Sequence, residues 1–85
     1  MQFVWTEPFR KDFRRLPGTV LKRMTKALER YAASPGHPSL GVKKLEGTRL
    51  IWEMRITRNH RLTFEKTQDA LLLRRIGTHD ILRQP

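Results

Sequence analysis

The sequence predicts an α+β domain: an N-terminal strand, a helical hairpin, then an antiparallel sheet of about four strands packed against the helices. Three observations carry that reading. Residues 7–32 hold two apolar stripes at helical spacing, separated by Pro17-Gly18. From residue 42 onward the pattern switches to period-two alternation broken by short polar turns. Between the halves, SPGHPSLG at 34–41 has two prolines and two glycines in eight residues and reads as a loop.

Taken in order, QFVWT at 2–6 alternates weakly and reads as a short strand. Thr6 suits an N-cap, because Glu7 and Pro8 then fall in a first turn that favours a carboxylate and tolerates a missing N–H. Phe9, Phe13 and Leu16 follow at i, i+4 and i+7, backed by Arg10, Lys11, Arg14 and Arg15. Thr19 is the expected cap of the second helix. There Val20, Met24, Leu28 and Tyr31 repeat every three or four residues, joined by Leu21, Ala27 and Ala32, with Lys22, Arg23, Lys26 and Arg30 on the other side. The hairpin thus offers one apolar face to a sheet.

Val42 to Leu45 is an expected short strand and Glu46-Gly47 a turn. Arg49 to Thr57 follows as a long strand, with Leu50, Trp52, Met54 and Ile56 on the core face and Arg49, Ile51, Glu53 and Arg55 on the other. Arg58-Asn59 turns into His60–Lys66, whose Leu62 and Phe64 face the core while Arg61, Thr63 and Glu65 face away. Ala70 to Ile76 starts apolar on both faces, so parity does not set its register. Gly77-Thr78 is expected to break that strand, leaving residues 79–82 as a tail or half-turn. Residues 1–85 read as one domain, without internal repeats or low-complexity tracts.

Eighteen Lys and Arg against eight Asp and Glu give a formal net charge of +10, which implies an anionic partner such as nucleic acid or an acidic protein. Twelve of the eighteen cations are arginine, the residue suited to bidentate phosphate contacts. Without cysteine there is neither a disulfide, a thiolate metal site nor a cysteine nucleophile. His37, His60 and His79 form no cluster at ligand spacing, and Asp12, Asp69 and Asp80 are far apart, so neither a zinc site nor two-metal chemistry is expected, nor any cofactor. The glycines follow no phosphate-loop spacing. No apolar run approaches a membrane span and no signal-peptide pattern opens the chain; a soluble cytoplasmic protein is the expectation.

Parity puts Arg55 and Arg61 on the sheet face that the helices leave open, on strands joined by a tight turn. Cross-strand side chains there lie about 5 Å apart. Two such arginines repel unless an anion lies between them or an acid such as Glu53 or Glu65 stands nearby. A Glu–Arg ladder on a solvated face is the plain alternative. His79 follows the last strand, where a side chain can be aimed at the open face, and imidazole suits proton transfer. If phosphodiester chemistry occurs without metal, the nucleophile available is the ribose 2′-OH, and the substrate is RNA.

The order of Leu16-Pro17 between two helices, KKLEG at 43–47, WEMRI, NHRLTF, ALLLRRIG and THDIL resembles the RelE/ParE superfamily of toxin–antitoxin toxins along the whole chain. GTHD at 77–80 is more similar to the RelE, YoeB and YafQ branch. The resemblance implies a RelE-like fold and a toxin that enters the 70S ribosomal A site and cleaves mRNA without metal, inhibiting translation. It also implies an acidic cognate antitoxin, with operator DNA bound only through that antitoxin. On the matching positions Arg61 would contact the scissile phosphate, Arg55 would fill another basic position of the catalytic set, and His79 would act as general acid or base. Arg75, Arg58, Lys43 and Lys44 are added as substrate contacts, and Glu53 as a base or an ion-pair partner of Arg55. The chain departs from the YoeB type in having Asp80 where an aromatic follows the histidine. A ParE-like inhibitor of DNA gyrase, or an inactive relative that binds RNA or antitoxin, are the rival expectations.

Overall fold

A computed structural model describes residues 1–85. Strand β1 (Gln2–Trp5) leads into helix α1 (Glu7–Arg14), and helix α2 (Gly18–Ala33) follows after a short connection. A 3-10 turn (Pro38–Leu40) precedes strands β2 (Lys43–Lys44), β3 (Ile51–Arg55), β4 (His60–Lys66) and β5 (Ala70–Thr78). A C-terminal 3-10 segment (His79–Arg83), here the tail, closes the chain.

Thr6 does cap α1: its Oγ1 accepts from the Phe9 amide at 3.3 Å. The same hydroxyl donates to the Leu73 carbonyl at 2.8 Å, so one side chain fixes both the start of α1 and its place against β5. Thr19, however, is not the cap of α2. That helix begins at Gly18, with extended Pro17 in the cap position, and the Pro17 carbonyl accepts from the Val20 and Leu21 amides at 3.0 and 3.2 Å.

The sheet has five strands in the order β1-β5-β4-β3-β2, rather than about four. The fifth is β1, which runs parallel to β5, with Gln2 opposite Ala70 and Trp5 opposite Leu73, so the sheet is mixed. That placement explains the apolar start of β5, a central strand with neighbours on both edges. Val20, Met24, Ala27, Leu28 and Tyr31 of α2 join Phe9, Met54, Ile56, Leu62, Phe64, Leu71, Leu73 and Ile76 in one core. Tyr31 meets Phe64 edge-on at 5.8 Å between ring centroids.

Two expected features of the sheet differ. Leu50 is not in the core; it is 65% exposed, because β3 starts only at Ile51. Residues 45–50 instead form a connection tied by Thr48, whose Oγ1 donates to Leu45 O at 2.8 Å and Ile51 O at 3.3 Å. Gly77-Thr78 does not break β5 either, for the strand runs through Thr78. The irregularity sits earlier: Phe64 pairs with Leu73 but Thr63 pairs with Arg75, leaving Arg74 as the extra residue of a β-bulge. The bulge shifts parity by one, so Leu71, Leu73 and Ile76 all reach the core, whereas Arg74 and Arg75 both avoid it.

The face away from the helices is not fully open. The tail packs against β4 and β5, burying Ile81, and Gly77 has no room for a side chain because a Cβ there would lie 2.8 Å from Ile81 Cγ2. Glu53 and Thr63 are buried on this face as well.

Candidate functional site

The strand registers lay out the second face as rows. Arg55 of β3 lies opposite Arg61 of β4, which lies opposite Gly77 of β5, two residues before His79. The next row runs Lys43, Glu53, Thr63, Arg75. Arg55, Arg61 and His79 therefore converge on the end of the sheet that carries the β3–β4 turn, residues 57–59. His79 is exposed, and so are Arg55 and Arg58.

The two arginines paired by register do different things. Arg61 is only 15% exposed and bends back over the turn. Its Nη1 donates to the carbonyls of Thr57 and His60, each at 2.9 Å, and of Arg58 at 3.3 Å. Its Nε lies 3.7 Å from Oε1 of Glu53, a carboxylate only 7% exposed. Glu53 is thus the ion-pair partner of Arg61 rather than of Arg55, and it is buried. Thr57 Oγ1 and His60 Nδ1 share a hydrogen bond of 2.8 Å, which ties His60 to the turn.

Arg55 instead lines a cleft of about 430 Å³ between α2, the Pro38–Leu40 turn and the β3–β4 turn. Arg23, Lys26 and Arg30 of α2 form one wall and Arg55 with Arg58 the other, with no acidic residue among the lining side chains. Arg30 Nη1 donates to Ser39 Oγ at 3.0 Å, and that hydroxyl shares a 2.8 Å hydrogen bond with His37 Nδ1. None of the five cations has a carboxylate within ion-pair distance. Just after the Pro38–Leu40 turn the chain turns at Gly41, whose φ of 54° is positive, and a Cβ there would lie 3.5 Å from Arg55 Cβ.

The sequence puts Arg23, Lys26 and Arg30 on the side of the helix opposite its apolar stripe. Their i, i+3, i+7 spacing is the signal that one face of α2 concentrates charge. It does not say that the β3–β4 turn would bring Arg55 and Arg58 to meet them. Lys43 and Lys44 lie on the exposed outer edge strand, where lysines also oppose edge-to-edge pairing.

Arg75 sits elsewhere and is not a free cation. Its Nε and Nη2 donate to the Asp12 carboxylate at 2.6 and 3.2 Å, and its Nη1 to Gln84 O at 3.0 Å. The hydrogen bond to Asp12 raises the Arg75 guanidinium above its already high ordinary pKa. Asp12 also accepts from the Ile76 amide at 3.1 Å, a strand-edge donor left without a ladder partner because β1 stops at Trp5. No three His, Asp or Glu side chains lie close enough to hold a metal ion. No helix is long and apolar enough to cross a membrane.

No protein-family model and no curated protein sequence matches the chain. Solved structures do. The RelB–RelE antitoxin–toxin complex of Methanococcus jannaschii aligns with a TM-score of 0.76 at 23% identity, over 95% of each chain. A YoeB/ParE toxin from Agrobacterium tumefaciens aligns at 0.76 and 20% identity, over 93% of this chain and 99% of that one. YafQ of E. coli aligns at 0.72 and 18% identity, over 95% and 96%. All three likenesses span the strand, the helical hairpin and the sheet together, and the chain has the fold of the RelE/ParE toxin superfamily.

Proposed function

We propose that this chain is the toxin of a type II toxin–antitoxin pair, acting as a ribosome-dependent endoribonuclease that cleaves mRNA without a metal. The observation that carries the reading is a cleft of five cations without a carboxylate partner, Arg55 among them, at the end of a RelE-like sheet where the register sets Arg55 opposite Arg61 and Arg61 opposite Gly77, two residues before His79. In the reaction, the 2′-OH attacks the adjacent phosphorus and the 5′-oxygen leaves, giving a 2′,3′-cyclic phosphate. His79, exposed at the rim, takes the first proton or supplies the second. Arg55 stabilises the charge that gathers on the phosphorane, a contribution typically about 100-fold in rate or more, while Arg61, engaged by the turn carbonyls and Glu53, holds the turn beside it. The cleft along α2 carries the flanking phosphates, and the ribosomal A site supplies the rest of the geometry.

The partner is an antitoxin whose acidic, partly disordered segment folds onto the basic surface. In the solved relatives the toxin fold stands in RelB–RelE and DinJ–YafQ complexes, which supports that pairing. The test is a primer-extension map of a defined mRNA with and without programmed ribosomes. Cuts at A-site codons that require ribosomes and vanish in His79→Ala and Arg55→Ala are expected. Absence of cuts in both settings refutes the nuclease reading and directs the next assay to DNA gyrase supercoiling.

A further inference from the structure

Two consecutive arginines on the β5 bulge grip two consecutive carbonyls of the C-terminal segment. Arg74 Nε donates to Pro85 O at 3.0 Å and Arg75 Nη1 to Gln84 O at 3.0 Å. Each guanidinium is held from its other side by a carboxylate, Arg74 by Glu65 of β4 and Arg75 by Asp12 of α1. Without the extra residue at Arg74 the two side chains would project from opposite faces of β5, and one would be driven into the core. The tail is pinned at its middle too, where Ile81 fills the space above Gly77, and at its start, where Thr78 Oγ1 accepts from the Asp80 amide at 3.4 Å. His79 lies between these anchor points, on a single 3-10 segment too short and too weakly bonded to hold its own shape.

We propose that Arg75, Asp12 and Arg74 are positioning residues that clamp the tail and thereby hold His79 at the end of β5. The inference rests on the nuclease reading of His79 and assigns Arg75 to His79 placement instead of phosphate binding. The two roles make opposite forecasts for Asp12. If Arg75 touched phosphate, removing the Asp12 charge would free a cation and lower KM. If Arg75 acts through the tail, the same change loosens His79 and lowers kcat, since a displacement of about 1 Å can cost about 100-fold.

The experiment compares wild type, Asp12→Asn, Arg75→Lys and Gly77→Ala by cleavage kinetics on programmed ribosomes. Backbone 15N order parameters of residues 79–84 are measured alongside, at a temperature where circular dichroism shows every variant folded. Gly77→Ala displaces Ile81 without changing any charge, so it tests the clamp independently of the ion pair. Expected are tail order parameters falling from about 0.85 toward 0.6, and kcat about 10- to 100-fold lower with KM within about twofold. Unchanged tail order in Asp12→Asn and Arg75→Lys, or a lowered KM in Asp12→Asn, would overturn the proposal. If wild type itself cuts no RNA, the nuclease reading fails, while the order parameters still decide whether the clamp exists.

Discussion

Arg61 and Arg75 on one side, and Arg23, Arg30, Arg55 and Arg58 on the other, are the same residue put to opposite uses. The first two are half-buried and saturated: Arg61 by three turn carbonyls and Glu53, Arg75 by Asp12 and Gln84 O. The cleft arginines face one another with no carboxylate among them. A buried guanidinium is tolerable only when its donors are met, and it then fixes backbone geometry. A row of exposed cations without acids instead raises the local potential and waits for an anion from outside. A net charge of +10 therefore says less about function than where the eight acids lie, because three of them, Asp12, Glu53 and Glu65, remove one arginine each from the available set.

The sharpest way to break this contrast is to delete one arginine from each class. Arg61→Ala strands Glu53 and frees three carbonyls, and should destabilise the fold by about 3 kcal/mol in urea denaturation. Arg55→Ala should shift stability by no more than about 0.5 kcal/mol. Equal losses would mean that Arg61 is no more structural than its register partner.

The next effect is on binding. Affinity for single-stranded RNA should fall with salt, and replacing Arg23, Lys26 and Arg30 together by alanine should reduce that logarithmic slope by about 2. Arg75→Ala should leave the slope nearly unchanged, which fluorescence anisotropy across a salt series can decide.

The core offers a smaller, pH-dependent contrast. Burial raises the Tyr31 phenol above its ordinary 10.0, so the folded state holds that proton more tightly than the unfolded chain does. Stability from this group is complete below about pH 10 and is lost as pH rises toward the folded value. Melting curves of wild type should therefore decline more steeply there than those of Tyr31→Phe. Smallest of all is Thr63→Val. Thr63 Oγ1 is buried without a hydrogen-bond partner, so the substitution should be neutral or stabilising by up to about 1 kcal/mol in the same denaturation assay.

Local pattern carried much of the architecture. The alternation of Leu62 and Phe64, the stripe from Val20 to Tyr31 and the Thr6 cap are consequences of strand and helix periods acting on neighbouring residues, and the structure keeps all three. Parity also puts Arg55 and Arg61 on one face as neighbours, and the strand register pairs them. It failed at Leu50, where the Thr48 hydrogen bonds end the strand early, and on β5, where the bulge adds a residue that no composition marks.

What the sequence alone determined is what local periodicity and composition determine: two amphipathic helices, alternating strands, a strong positive charge without cysteine, and His79 just past the last strand. What only the tertiary structure decided is which arginines are free. That choice depends on Asp12 reaching Arg75 across 63 residues of chain, on β1 inserting beside β5, and on α2 meeting the β3–β4 turn. Ion pairing and burial are set by distances between segments remote in sequence, and no local period encodes those distances.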